Sequence, residues 1–174
     1  ALYFGALEDW DLSGETQMSG SLGLFVHLTV DGGERALSWY QSVFGASLKA
    51  KHMAEDRERV LFAILEMFGG HVFISESFPE YGADTAAPSS ERLPSCAIHI
   101  DFSDPNDVNG ICAKAEAAGA VVTMKPEDVY WGDRYARLRD PFGHVWSFGA
   151  RAPEPFAGVH EKVEFQPKGG FGEL

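Results

Sequence analysis

Two histidines occupy matching places in two similar apolar stretches of the chain. His99 follows His27 by 72 residues, and each is flanked by aliphatic residues typical of a strand. An imidazole can bind a divalent metal ion, accept a proton near neutral pH, or form hydrogen bonds inside a polar cavity. A metal held by both rings would need Glu66 or Glu76 as well, because such sites usually use three or four protein ligands. We therefore prefer hydrogen bonding, and the metal site stays an alternative.

A second group of candidates lies near residue 135. Tyr135 and Arg137 are two residues apart, so in a strand they share one face. Arg137 could clamp a substrate anion, or it could form an ion pair with Glu66 or another acid. Trp131 precedes this strand and could either stack on a ligand at a cavity mouth or anchor a loop in the core. Both pairs of alternatives stay open at this point.

The composition excludes several classes of protein. The 174 residues include 14 Lys+Arg and 26 Asp+Glu, and the formal net charge of −12 disfavours binding to nucleic-acid phosphates. No apolar run reaches the roughly 18–20 residues of a membrane helix, and the first residues lack the basic start of a signal peptide. Two cysteines are too few for a disulfide framework. We expect a cytoplasmic globular protein with neither nucleic-acid nor membrane partners.

The positions of these candidates follow from an internal repeat. Three landmarks occur twice in the same order, and the second copy follows the first by 73 or 74 residues. The landmarks are an Asp helix cap (Asp31, Asp104), a Gly-Ala helix end (Gly45, Gly119) and a Gly-His-Val triplet (Gly70, Gly143). This regularity predicts two repeats, 22–76 and 96–149, joined by a Pro- and Gly-containing loop, 77–95. Residues 1–20 and 151–174 would be terminal extensions.

Each repeat has the pattern strand–helix–strand–strand–strand, which predicts an α+β fold built from two βαβββ units. Apolar residues recur on one side of each helical segment, so each helix should cover one face of its sheet. The predicted elements of the first repeat are Leu22–Val30, helix Glu34–Phe44, Ser47–Met53, Arg59–Met67 and Gly70–Glu76. Those of the second repeat are Cys96–Phe102, helix Asn106–Ala118, Ala120–Met124, Arg134–Asp140 and Gly143–Gly149.

The last hairpin allows side chains to be assigned to sheet faces. Pro141 suits a type I turn and Gly143 suits the left-handed position after it, so Asp140 should pair with His144. Directly paired residues share a face of the sheet. Counting back gives Arg139–Val145, Arg137–Ser147 and Tyr135–Gly149, and the same count in the first repeat gives Glu66–Val72, Ile64–Ile74 and Phe62–Glu76.

Three stretches carry a resemblance to a known family. They are ALSWYQSVFGA (36–46), ESFPEYG (76–82) and WGDRYARLRDPFGHVW (131–146). Together with the paired βαβββ units, they resemble the vicinal oxygen chelate superfamily, which holds glyoxalase I, extradiol dioxygenases and bleomycin-resistance proteins, and in particular its PhnB-like branch. The likeness spans residues 22–150. It implies a curved mixed sheet around a central cavity, usually in a homodimer.

The same resemblance implies where a metal would bind. In metal-dependent relatives four strand positions supply His or Glu, and here they fall at Phe25, Ile74, Ala97 and Ser147, none a good ligand. The resemblance therefore implies a metal-free protein, with no cofactor, that binds a small aromatic or cationic molecule such as a toxic compound or an antibiotic. The expected ligand-binding residues are Phe25, His27, Phe62, Ile64, His99, Trp131, Tyr135, Arg137 and Ser147.

Two further functions remain as alternatives. The protein could be a lyase, isomerase or dioxygenase with a displaced metal site around His27 and His99, or an enzyme that uses one of these histidines as a general base without a metal. It could also be a non-catalytic interaction protein whose cavity is filled by its own side chains.

Overall fold

The computed structural model describes residues 23–89 and 91–151, which form two compact units divided between residues 91 and 92. The two predicted repeats fall in different units. The predicted terminal extensions lie outside the described residues, except for Arg151, which ends the last strand. No helix in these residues is long and apolar enough to cross a membrane.

Each unit contains a four-stranded mixed sheet and one α-helix, which confirms the predicted α+β fold with two βαβββ units. The first unit comprises β1 (Val26–Val30), α1 (Gly33–Phe44), β2 (Ser47–Met53), β3 (Val60–Met67) and β4 (Gly70–Glu76). The second comprises β5 (Ala97–Phe102), α2 (Pro105–Ala117), β6 (Val121–Asp128), β7 (Asp133–Arg139) and β8 (Val145–Arg151). The strand orders are β1-β4-β3-β2 and β5-β8-β7-β6. In each sheet the first strand therefore runs parallel to the last.

The two helices begin differently. Asp104 caps α2 as predicted, because its carboxylate accepts a hydrogen bond from the backbone N–H of Asn106. Asp31 does not cap α1, so that prediction was wrong. The cap is Gly32, at a left-handed φ of 81°, and it makes no side-chain hydrogen bond. The next residue, Gly33, has no room for a side chain, because a Cβ there would lie 2.7 Å from Glu76 Oε1 and from Val60.

The β7–β8 hairpin has the predicted register. Asp140 N–H donates to the carbonyl oxygen of His144 at 2.9 Å. Its buried carboxylate accepts two backbone N–H bonds across the loop, from Phe142 and His144, and a third from the indole N–H of Trp146 at 2.8 Å. The three predicted pairs, Arg139–Val145, Arg137–Ser147 and Tyr135–Gly149, are all confirmed.

The β3–β4 hairpin has a different register from the one predicted. Its loop is the two residues Phe68 and Gly69, with φ values of 53° and 73°, as in a type I′ turn, so Met67 pairs with Gly70. The prediction assumed the longer loop of the second unit. As a result Ile64 pairs with Phe73, and the predicted pairs Ile64–Ile74, Phe62–Glu76 and Glu66–Val72 were wrong.

The Asp140 carboxylate is expected to be essential for the second unit. Asp140→Ala leaves three buried donors without their acceptor, and hydrogen bonds to charged groups contribute about 1.5–3 kcal/mol each. We expect the free energy of unfolding, measured by urea denaturation, to fall by about 3 kcal/mol or more. Asp107→Ala, in the exposed first turn of α2, is the matched control and should cost much less. Equal losses in the two variants would contradict this role.

Candidate functional site

In each unit the helix covers one face of the sheet, and the opposite face, here called the open face, carries the candidate residues. In the first unit His27 pairs with Phe73 and Ile64 pairs with the same residue, so these three share the open face. Ile74 lies on the helix-covered face with Leu28. The prediction that Ile74 occupies a metal-ligand position was therefore wrong, because the register of β4 is shifted by one residue and Ile74 points away from the open face.

The open face of the first unit is lined by an aromatic cluster, defined here as Phe25, His27, Phe62 and Phe73. The rings of Phe25 and Phe73 stack at 5.3 Å, and Phe62 contacts Phe73 at 5.1 Å. The imidazole of His27 meets Phe62 edge-on, at 6.1 Å and 90°. Ile64, beside this cluster, is fully buried. Phe73 was missed from the sequence, because the wrong register placed it on the other face.

His27 is hydrogen-bonded on one side only. Its Nε2 lies 3.0 Å from the hydroxyl oxygen of Ser75, and among the described residues Nδ1 has no hydrogen-bond partner. Burial lowers the pKa of His27 below its usual 6.5, since desolvation disfavours the charged imidazolium. This shift favours the neutral ring, and Nδ1 is able to bond a ligand. Glu76, the alternative co-ligand in the sequence analysis, instead accepts the backbone N–H of Val60 on the other face.

His99 in the second unit has partners at both ring nitrogens. Nδ1 lies 2.9 Å from the hydroxyl oxygen of Ser147, and Nε2 lies 3.2 Å from the carboxylate of Asp101. In both units the histidine and its serine are 48 residues apart in sequence. Asp101 was missed from the sequence, although its position two residues after His99 on one strand could have indicated a shared face.

The order Ser147–His99–Asp101 resembles a nucleophilic triad only in its residue types. Ser147 is 4% exposed and lies beneath the imidazole, whereas the side chain of Asp101 is 79% exposed. In a triad the serine must reach the substrate and the acid is the buried orienting group. The arrangement here is the reverse, so Ser147 and Asp101 hold the imidazole in place.

Aromatic rings continue from His99 towards the solvent. Tyr135 lies nearly parallel to the imidazole, at 5.9 Å and 22°, and Trp131 meets Tyr135 edge-on at 5.5 Å. Trp131 is 45% exposed, so it is not a core anchor. Arg151 donates to its carbonyl oxygen at 3.1 Å and so fixes the loop. Tyr130, which contacts Trp131 at 4.8 Å, was not predicted.

Glycine forms part of the floor beneath these rings. Gly149 lies in β8 between Asp101 and Tyr135 of the neighbouring strands. A Cβ at this position would lie 3.0 Å from Asp101 Oδ1 and 3.2 Å from His99 Cε1. The hydrogen-bonded pair can rest on the sheet only because residue 149 has no side chain.

Arg137 lies on the same open face, two residues after Tyr135 on β7. It is exposed and pairs across the strands with Ser147 on one side and Met124 on the other. Glu66, one of its predicted partners, is bound by Lys49. Among the described residues the Arg137 guanidinium has no ion-pair or hydrogen-bond partner, so a structural ion pair is not its role there.

The side chains at the metal positions implied by the resemblance do not fit a divalent ion. Phe25 and Ala97 offer no donor atoms, and the hydroxyl of Ser147 is engaged by His99. Within the described parts of the chain, no three His, Cys, Asp or Glu side chains converge in a way that could hold a metal. His99 could bind one only by giving up Ser147 or Asp101.

Comparison with known proteins establishes the family. A model described as the Glyoxalase/Bleomycin resistance protein/Dioxygenase superfamily matches residues 22–148. The chain belongs to this superfamily. It is also similar to an uncharacterized protein of Mycobacterium tuberculosis, with 33% identity over 124 residues that cover 71% of each chain.

Solved structures of this superfamily's fold resemble the chain. The crystal structure of TioX from Micromonospora sp. ML1 has 26% identity and a TM-score of 0.58, and the match covers 76% of this chain and 99% of that one. FosX, a fosfomycin resistance protein from Listeria monocytogenes solved with Mn(II) and sulfate, has 15% identity and a TM-score of 0.57, covering 79% and 95%. At that identity the likeness to FosX shows the fold alone.

Gly149→Ala is expected to displace His99 and Asp101. The added methyl overlaps both side chains, and overpacking of this kind costs about 1–3 kcal/mol. Nitrogen NMR should show the hydrogen bonding at His99 Nε2 change, with a lower melting temperature. Gly110→Ala in α2 is the control, since its Cβ would meet nothing within 4 Å, and it should not destabilise the protein. An unchanged His99 spectrum would contradict the contact.

The lowered pKa of His27 should be measurable and should depend on Phe62. NMR titration should give a pKa below 6.5, and Phe62→Ala should raise it towards 6.5 by admitting water. Because the unfolded chain takes up the proton first, stability should fall as the pH drops from 6.5 through the lower folded-state pKa. Phe62→Ala should lessen that loss. Tyr81→Ala, at an exposed ring that contacts Phe78, should leave the titration unchanged.

Proposed function

We propose that this superfamily member is a metal-free binder of small aromatic molecules and that its ligand rests on the open face of the second unit. The observation that carries the proposal is a series of three rings, the exposed Trp131, the half-buried Tyr135 and the exposed His99. On the same face lies the exposed guanidinium of Arg137, which has no partner among the residues that the structure describes. Ligand sites typically combine apolar and aromatic walls with a few fixed polar groups. His99 is such a group, because Ser147 and Asp101 fix its orientation.

The aromatic cluster of the first unit supports the same proposal. Phe25, Phe62 and Phe73 are each only partly buried, so part of each ring remains accessible. His27 adds a neutral imidazole with one nitrogen available for a ligand. Taken by itself, this face of the first unit also suits an apolar ligand, since burial of apolar area gives about 25 cal/mol per Å².

The physiological role we propose is sequestration of a toxic compound or antibiotic. The family description includes bleomycin resistance proteins, and the three stretches quoted above support membership in the PhnB-like branch. We place the protein in the cytoplasm as a homodimer, in keeping with two cysteines that are both free and with the family resemblance.

A metal-dependent lyase, isomerase or dioxygenase is the second candidate. The observation in its favour is the contact between His99 Nε2 and the Asp101 carboxylate, which places two donor types side by side. Metal analysis of protein purified without chelator tests it. Stoichiometric metal that is lost in the His99→Ala variant would favour this candidate over the metal-free binder.

Trp131 provides a direct readout of ligand binding. Of the three tryptophans that the structure describes, Trp131 is 45% exposed and Trp39 and Trp146 are buried, so among these three a ligand on this face should change the fluorescence of Trp131 above all. We expect saturable changes on titration with a panel of aromatic and cationic antibiotics. Trp131→Phe should remove most of the signal, and Trp39→Phe should keep it. A panel that gives neither a fluorescence change nor heat in calorimetry would overturn the proposed function.

A further inference from the structure

We infer that the ligand of the second unit carries an anionic carboxylate next to its aromatic ring and that Arg137 selects for it. The inference rests on the proposed function, because it names the chemical class of the ligand for that same site. It runs against the overall acidity of the chain, whose formal net charge of −12 would favour a cation.

The strand register sets Arg137 in a row with the polar groups of the site. His99 pairs with Ser147 across β5 and β8, and Ser147 pairs with Arg137 across β8 and β7. All three share the open face, and two strand spacings separate His99 from Arg137, about 9.5 Å at the backbone. In this row of described residues the small side chain of Ser147 lies between them, and Arg137 is exposed.

Among the described residues, no carboxylate forms an ion pair with Arg137. Three other arginines, on β7, on β8 and just before β3, make a useful contrast. Arg59 is bound by Asp56 and Glu80, Arg134 by Asp128, and Arg151 by Asp133. Arg137 makes no such contact with any residue of the described ranges, although acids are abundant in the chain. An exposed guanidinium beside aromatic rings suits a planar carboxylate, which it can bind through two parallel N–H bonds.

The neighbouring rows determine how such a ligand would lie. The row on one side of Arg137 contains Tyr135 and the acids Asp101 and Glu127, with Trp131 beyond. The row on the other side contains Arg139 between Val121 and Val145. The aromatic ring would therefore lie over Tyr135 and Trp131, and the carboxylate would sit at Arg137, away from the two acids.

Three matched probes test the inference by calorimetry: 1-naphthoate, the neutral 1-naphthamide and the cationic 1-naphthylmethylamine. The full chain should bind the carboxylate about tenfold or more tightly than the amide, the gain expected of a charge-assisted pair. Arg137→Met should abolish that preference, and Arg137→Lys should restore only part of it, because the charge returns without the planar fork.

Arg139→Met is the control for electrostatics at long range. Arg139 is exposed on the same strand and face and carries the same charge, but its row lacks Ser147 and His99. It should reduce carboxylate binding far less than Arg137→Met does. Equal losses in the two variants would overturn the specific role of Arg137.

The three probes separate failure of the inference from failure of the proposed function. Equal binding of all three, or tighter binding of the amine, would overturn carboxylate selection and leave the aromatic binder standing. No binding of any probe, together with a silent fluorescence panel, would overturn both. Carboxylate preference that survives in Arg137→Met would overturn the assignment to Arg137 alone.

Discussion

The second unit is organised around one buried carboxylate. Asp140 binds two backbone N–H groups of its own loop and the indole of Trp146, and in doing so it fixes how β7 and β8 are paired. That pairing decides which side chains point to the open face. Tyr135, Arg137 and Ser147 meet because the loop holds this register, so the chemistry of the face depends on a residue that lies outside it.

The two units carry the same histidine–serine pair in contrasting surroundings. Two residues after His27 comes Thr29, which is buried and donates its hydroxyl hydrogen to Thr85 of the following loop. Two residues after His99 comes Asp101, which is exposed and reaches the imidazole itself. One copy therefore has an imidazole among phenyl rings, and the other has an imidazole held between a hydroxyl and a carboxylate.

Much of this arrangement could be predicted from the sequence. The repeat, the helix ends and the Asp140 loop predicted both βαβββ units and the register of the last hairpin, because local turn chemistry determines each of them. The roles of Asp101 and Tyr130 could not be predicted in the same way. The alternation along β5 places Asp101 on the same face as His99, but it does not report the hydrogen bond between them, which depends on side-chain conformation. The contact of Tyr130 with Trp131 also depends on side-chain conformation, in a loop without periodic pattern.

Strand β6 shows how tertiary position can override a local signal. The prediction ended it at Met124, before Pro126, yet the strand continues to Asp128. Proline is tolerated there because β6 is the edge strand of its sheet, where a missing N–H leaves no neighbour unbonded. The pairing with β7 is irregular between Met124 and Glu127, around the proline.

The short turn at Phe68 and Gly69 has a consequence for how the duplicated halves should be superposed. Because side chains alternate with a period of two, one residue fewer in a loop exchanges the two sides of the strand that follows. If the two halves are aligned without a gap at this point, residues on the open face of one copy are matched with residues on the helix-covered face of the other. Phe73 and Ser75, rather than Ile74, are thus the places where inherited chemistry should be sought.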